Sequence, residues 1–445
     1  MSEPFTVTEL VRHLHDFLRL NIAPGRCVTV GFSGGVDSMV LLDAVCRLRS
    51  IQDLAIEALH VHHGLSSNAD RWAEFCGSQA KSRNVPFRVV HVQVHRGRGT
   101  SLEAEARKVR MSIFSSLDAD TVLLGHHLDD QGETLLLQLL RGAGPRGLSS
   151  MGRLTPLRSG VRLMRPWLDV SRRRIVAYAK DAALQWVEDE SNLDSRFDRN
   201  FLRNEVLPTI ESRFPGYRTN LFRSAQNMAD LDEVARDMGT QDLETITSVR
   251  GISAAGLGLL SLPRALNALR CATGRLGVEM PSRDRLVELY RQVTSARHDA
   301  SVDVNLGGLS GRVYRGHLVL TPNVEELLPW TLKWSGEEQL ELPQRLGIIR
   351  RRYSMGRGLC TSVLASSLQF RNRCGGERLR IHSKQARKTL THLFQQLGIP
   401  PWERVRLPML CSDERVLWVP GVGYESDQCA APDEKGIELE WIRGF

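Results

Sequence analysis

The hexapeptide Ser33-Gly34-Gly35-Val36-Asp37-Ser38 constrains this chain more than any other stretch. A β-rich run, Cys27–Phe32, leads into it, and a largely apolar helical run, Met39–Arg49, leads out of it. Adjacent glycines let the backbone turn with its N–H groups converging, and leave no side chain to block an anion there. The helix that follows aims its positive dipole end at the same spot. Ser33 and Ser38 bring hydroxyl donors to it. The Gly-x-x-x-x-Gly-Lys-Ser/Thr pattern of a loop built for γ-phosphate transfer is absent. The competing reading is a plain glycine turn between strand and helix.

Downstream, the periodicity predicts strands at Ala55–Val61, Phe87–Val94 and Thr121–Gly125, alternating with helices at Arg71–Arg83, Ser101–Leu117 and Asp129–Arg141. An amphipathic helix over Val7–Leu20 precedes them. Such alternation predicts an α/β fold, a doubly wound parallel sheet with helices on both faces, whose ligands bind beyond the carboxyl ends of the strands. Residues 143–162 read as a Gly- and Arg-rich loop, and Ser171–Ala183 and Asn200–Arg213 as helices, the second broken near Pro208. From Arg223 to Val293 the pattern is mostly helical, and Val302–Pro322 alternates like strands. An acidic connector is expected over 325–343, and then strands with one helix, Lys384–Leu397, ending at Gly398. The expected domains are 1–215, a mostly helical 216–325, and a small α+β domain over 345–445.

Two further clusters carry chemistry. In Gly125-His126-His127-Leu128-Asp129-Asp130-Gln131-Gly132-Glu133-Thr134, helical spacing puts Asp129 and Asp130 on the face of Glu133. Like charges so placed repel unless a cation neutralises them, so the face is either solvated or a site for Mg2+ or an ammonium group. In His60-Val61-His62-His63-Gly64-Leu65, alternation puts His60 and His62 on one face at a strand end, where they would line a nucleotide pocket.

Composition narrows the class. Apolar runs such as Met39–Val45 and Leu135–Leu140 are far shorter than the ~20 residues that cross a bilayer, and no secretory signal is visible. No membrane association and a cytoplasmic location are the expectations. Among 445 residues, 59 Lys and Arg outnumber 51 Asp and Glu, giving a net charge of +8. Arginines cluster over 141–223, at 350–352 and over 371–387, a spread that suits an extended nucleic acid. The eight cysteines include no Cys-x-x-Cys pair, so a zinc knuckle or cysteine-held cluster lacks support, and they read as reduced core residues.

The hexapeptide resembles the signature of the pyrophosphate-loop ATPase superfamily, whose members cleave ATP between the α- and β-phosphates and adenylate a substrate. The ordered set narrows this further. His60 to Leu65, Glu103-Ala104-x-Ala106-Arg107, Gly125 to Thr134, Leu140-Arg141-Gly142-x-Gly144, Arg165-Pro166-x-Leu168, Asp189-x-Ser191-Asn192 and Arg199-Asn200-x-x-Arg203 resemble the tRNA(Ile)-lysidine synthases. Gly375-Gly376-Glu377-Arg378 and Leu397 to Trp402 resemble that family's terminal domain. The likeness implies a first domain of adenine-nucleotide α-hydrolase type. It implies adenylation of the C2 carbonyl oxygen of the wobble cytidine in the CAU anticodon of isoleucine tRNA. The amine of free L-lysine then attacks C2 and AMP leaves.

The resemblance also assigns residues. ATP would meet Ser33, Gly34, Gly35, Val36, Asp37, Ser38, His60, His62, Arg107 and Gly125; Mg2+ would meet Asp37 and Asp130. Asp37, His126, Asp129, Asp130 and Glu133 would carry catalysis, with His126 or His127 taking a proton. Arg107, Arg199 and Arg203 are expected at phosphate or RNA. Gly375–Arg378 with Lys384, Arg387 and Lys388 are expected to touch distal tRNA. A homodimer is an open expectation. One departure is Met111 after Arg110, where the family commonly has tyrosine. The alternatives are a tRNA sulfurtransferase of the same superfamily, whose chemistry needs a cysteine pair or cluster, and a non-catalytic tRNA-binding protein.

Overall fold

Helix α1 (Val7–Asn21) buries Leu10, Leu14, Phe17 and Leu18, the i, i+4, i+7, i+8 stripe of an amphipathic helix. This computed structural model describes residues 7–64, 66–93, 102–157, 160–296, 302–323 and 327–444. The chain forms two units, Met1–Met238 and Gly239–Phe445.

In the first unit strands and helices alternate as the periodicity predicts: β1 (Cys27–Gly31), α2 (Val36–Leu48), β2 (Ala55–His62), α3 (Ala69–Ser82), β3 (Phe87–His91), α4 (Leu102–Ser115), β4 (Thr121–Leu123) and α5 (Leu128–Leu140). Then follow α6 (Pro145–Leu148), β5 (Leu154–Pro156), β6 (Arg162–Met164) and α7 (Arg172–Asp181). The sheet order is β3-β2-β1-β4-β6-β5, parallel from β3 to β6, with β5 antiparallel at the edge. The 143–162 stretch is therefore not all loop. Strand order reverses at β1, and the crevice at such a switch point is where open α/β sheets bind ligands. The glycine loop sits there.

Helix α2 is buried nearly all round, from Val36 through Leu48, because β1, β2, α1 and α7 all pack on it. That explains an apolar run without an amphipathic period. The phenol of Tyr178 on α7 donates to Asp43 Oδ2 on α2 at 2.7 Å, while Arg47 Nε donates to the same oxygen at 2.8 Å. Beyond α7 come α8 (Asp198–Phe201), a π turn (Leu202–Val206), α9 (Leu207–Arg213) and α10 (Tyr217–Ile246). Pro208 does not break the helix. The wide π turn before it relieves the ring's clash with the preceding turn, so the helical path continues although Pro208 has no N–H to donate.

In the second unit, helices Ala254–Leu259, Leu262–Arg275 and Arg283–Ser295 close a core over a five-stranded antiparallel sheet. The expected connector over 325–343 instead supplies strands Thr331–Trp334 and Gln339–Leu342, because Trp330 and Trp334 are buried in the next core; residues 325 and 326 lie outside the described ones. The expected helix from Lys384 begins only at Leu390, where Thr389 caps it by accepting from His392 N–H; it ends, as expected, at the left-handed Gly398. Of the cysteines, only Cys76 and Cys411 are buried, while Cys27, Cys374 and Cys429 are exposed, so the core reading fails for those three.

Tyr178→Phe removes one of the two hydrogen bonds to Asp43 Oδ2 and is expected to lower the unfolding free energy by about 1 kcal/mol. Tyr178→Ala opens a cavity in the core and is expected to cost about 3–5 kcal/mol. Urea titrations followed by circular dichroism measure both.

Candidate active site

The glycine loop is held by one hydroxyl. Ser38 Oγ donates to Gly35 C=O (3.0 Å) and accepts from Gly34 N–H (3.1 Å); Ser33 Oγ lies 3.2 Å away and donates to it. The Ser38 proton is thus committed inside the loop, which preforms the cradle rather than reaching out of it. Gly34 takes φ +86°, a left-handed conformation that glycine adopts without strain. Gly35 occupies the N-cap of α2 with no side-chain cap, leaving the amides that follow to face the crevice.

Gly125 brings the second cluster against this loop. A Cβ there would lie 2.9 Å from the carbonyl oxygen of Asp37 and 3.2 Å from the amide nitrogen of Ser38. Two residues on, His127 caps α5 in a reciprocal box: its Nδ1 accepts from Asp130 N–H (3.3 Å), and Asp130 Oδ2 accepts from His127 N–H (3.0 Å). Burial disfavours charge on His127, but Asp130, Asp37 and Asp129 outweigh it and raise the pKa. The cap pulls the other way, since a protonated Nδ1 would face the Asp130 N–H donor to donor. The capping geometry decides for the neutral ring, with the Nε2 proton towards Asp37 Oδ1 at 3.6 Å.

The acidic face is neutralised by arginines of this chain. Glu133, 1% exposed, accepts from Arg199 Nε (2.6 Å), Arg203 Nε (2.6 Å) and Arg203 Nη2 (2.9 Å). Asp130 Oδ1 accepts from Arg199 Nη2 (2.8 Å) and Arg203 Nη2 (3.3 Å). Asp129 accepts from Arg218 Nε (2.6 Å) and Arg172 N–H (2.8 Å). Burial would raise the Asp130 pKa, but with the His127 ring neutral the Arg199 guanidinium and the His127 N–H still hold it below the ordinary carboxylate range. Both Asp130 oxygens are therefore engaged, whereas Asp37 Oδ1 is buried with no hydrogen-bond partner. Among the described residues no three His, Cys, Asp or Glu side chains group as a metal cage.

His126 and His63 each bury an Nδ1 without a hydrogen-bond partner. Desolvation, helped by nearby Arg165, Arg199 and Arg110 in the first case and by Arg110 in the second, lowers their pKa to about 3 and about 4. His60 Nδ1–H donates to Phe32 C=O (2.9 Å), leaving Nε2 as an acceptor; His62 Nε2–H donates to Asp70 (3.0 Å). Arg107 is exposed on α4, near enough to add to the burial that lowers buried Arg165 to about 10. The Glu103 and Ser191 side chains and Leu65 lie outside the described residues. Sequence reasoning missed Arg218: nothing at position 218 signals a partner 89 positions earlier. It also did not assign Arg110 or Arg165 to the His126 surroundings.

In the second unit, Glu377 of the Gly375–Arg378 motif is buried and organises its own loop. It accepts from the amides of Cys374 (2.6 Å) and Gly375 (3.0 Å) and from Arg371 (3.2 Å). Arg387 is paired with buried Glu425, while Arg378 and Lys384 are exposed. Among the described residues no helix is long and apolar enough to cross a membrane.

Replacing Glu133 by glutamine leaves two arginines facing a buried neutral amide, so Glu133→Gln is expected to lower unfolding free energy by about 3 kcal/mol, read in denaturant titrations. His126 and His63 are neutral when folded and bind a proton near pH 6.5 when unfolded. The unfolded state therefore holds more protons between about pH 6.5 and 4, and stability falls as pH drops through that window. A His63→Asn, His126→Asn variant is expected to flatten that slope in Tm-against-pH measurements.

Three stretches match known family patterns: residues 6–210 the PP-loop domain, 252–319 the TilS substrate binding domain and 368–441 the TilS substrate C-terminal domain. The chain is 34% identical to a tRNA(Ile)-lysidine synthase of Nitrosomonas europaea, over 99% of this chain and 97% of that protein. It is 38% identical to the synthase of Edwardsiella ictaluri, over 98% and 99%. To that of Serratia proteamaculans it is 39% identical, over 94% and 95%. With identity at this level along nearly its whole length, and the phosphate loop and acidic helix packed together, the chain belongs to the tRNA(Ile)-lysidine synthase family.

Proposed function

We propose that the chain performs the reaction its family is named for: ATP adenylates the C2 oxygen of the wobble cytidine in the CAU anticodon of isoleucine tRNA, and free lysine displaces AMP to give lysidine. The observation that supports it most directly is the approach of Gly125 to the Asp37 peptide. It joins an amide-lined phosphate loop to a helix whose first turn carries Asp129 and Asp130, with Glu133 one turn further on. The reaction needs both, because a ring carbonyl oxygen leaves poorly until adenylated, and the attacking amine is a cation until it loses a proton.

The loop from Ser33 to Ser38 would hold the triphosphate, with His60, His62, Arg107 and Gly125 around the nucleotide. Mg2+ would neutralise phosphate charge and be held by Asp37, a single carboxylate beside substrate phosphates being a common Mg2+ arrangement. Asp130, whose oxygens already accept from His127 N–H and the arginines, suits orientation better than metal binding. Asp129, Asp130 and Glu133 would orient the lysine ammonium, sharing their charge with Arg199, Arg203 and Arg218. His126, held neutral by burial, would take the amine's proton. The negative triphosphate beside it would raise its low pKa towards the working range. In this reading residues 1–215 are the catalytic domain and 216–325 and 345–445 bind tRNA; light scattering distinguishes a homodimer from a monomer.

Incubation with unmodified CAU-anticodon tRNA, radiolabelled lysine and ATP is expected to give ATP-dependent lysine incorporation. Incorporation that fails, or that proceeds without ATP, would sink the assignment. Asp37→Ala is expected to abolish pyrophosphate release while tRNA affinity stays within about twofold, about 0.4 kcal/mol.

A further inference from the structure

Helix α3 and the extended segment 184–190 enclose an open cavity of about 570 Å3 that the adenylation and amine chemistry leaves unused. Trp72 and Phe75 form one wall and Trp186 the other. Phe75 and Trp186 pack on the core of the sheet, and Trp186 Nε1–H donates to Glu188 (3.3 Å), so these two side chains are held in place before anything binds. Asn68 Nδ2 donates to Glu190 Oε1 (2.9 Å), tying the start of α3 to the facing segment. Two of the lining residues, Val187 and Phe75, rest against the back of the glycine loop. Val187 N–H donates to Gly34 C=O (3.0 Å), and a Cβ on Gly34 would lie 3.0 Å from Val187 and 3.5 Å from Phe75. The volume lies within the usual 300–1,000 Å3 of small-ligand sites.

We propose that this cavity receives a second base of the RNA substrate, splayed from the anticodon loop and stacked between Trp72 and Trp186 while the cytidine occupies the catalytic crevice. The inference rests on the functional reading above. Half-buried aromatic faces on opposite walls suit a flat base, and splayed loop bases are the usual targets of RNA recognition. Exposed Arg71 lies on the rim and suits the phosphate that follows the base. Glu188 and Glu190 repel phosphate and accept from exocyclic amino groups, so they favour entry base first, backbone outward. Free lysine would meet carboxylates, aromatic faces and, through its α-carboxylate, Arg71 here too, so the test below separates it from a base by RNA affinity.

The test uses the full chain and a synthetic anticodon stem-loop RNA, with affinity read by fluorescence anisotropy. Trp72→Ala is expected to weaken binding about 5- to 150-fold, and Trp72→Phe to restore most of it. In a series of RNAs lacking one loop base each, one position should reproduce the loss in the unsubstituted protein and add nothing in Trp72→Ala. Affinity for ATP should not change. Arg71→Glu, which leaves the walls intact, should weaken binding and reduce its salt dependence. RNA affinity unchanged in Trp72→Ala and Arg71→Glu overturns the proposal, as do losses that add at every loop position. A raised KM for lysine with RNA affinity unchanged overturns it in favour of an amino-acid site. Absence of RNA binding by the unsubstituted protein would instead sink the functional reading itself.

Discussion

The close approach of Gly125 to the peptide joining Asp37 and Ser38 is the contact on which the rest of the site depends. It is a backbone-to-backbone contact between the segment that follows β4 and the first turn of α2, and only a residue without a side chain permits it. Because it holds, the amides entering α2 and the first turn of α5 share one crevice. Any side chain at Gly125 would push β4 away from the loop. The capping box of His127 would then aim past Asp37 instead of facing it at 3.6 Å.

Electrostatically the crevice is balanced rather than acidic. Three carboxylates on α5 meet Arg199, Arg203 and Arg218, and the groups are too buried for water to screen them fully. Buried ion pairs contribute little net stability because desolvation offsets their attraction. The arrangement is better understood as positional: it fixes fork-shaped guanidinium groups and carboxylates of a defined charge state at the mouth of a phosphate loop. In the proposed reaction a polyanion and then a cation enter, and both signs are in place for them, each already partnered. His126 and His63 stay uncharged chiefly because burial disfavours their charged form, with Arg165, Arg199 and Arg110 adding to it at His126 and Arg110 at His63.

Much of this was legible from sequence because the signals are local. The strand–glycine–helix pattern placed β1 and α2 within a few residues, and Gly398 marked the end of the terminal helix correctly. What could not be read was tertiary. The repulsion among Asp129, Asp130 and Glu133 was visible, and so was the need for a cation. That the cations would be Arg199, Arg203 and Arg218 depended on distant segments folding back over α5. Ser38 looked like a phosphate donor until its hydroxyl was found between Gly34 and Gly35. The acidic composition of 325–343 suggested a connector, but two tryptophans, a weak signal one by one, carry it into a core. Exposed Cys27, Cys374 and Cys429 show how little a scattered cysteine says about burial.

The π turn at Leu202–Val206 has a consequence for how this site tolerates change in chain length. Each residue of a helix advances its neighbours by ~100° about the axis. Arg199 and Arg203 precede or open the wide turn, and Arg218 follows it. Removing any one residue from 204–206 would leave the first two on Glu133 but swing the downstream helices, and Arg218 with them, off Asp129. Here it is a count of residues, not their chemical identity, that keeps two halves of one charge network in phase.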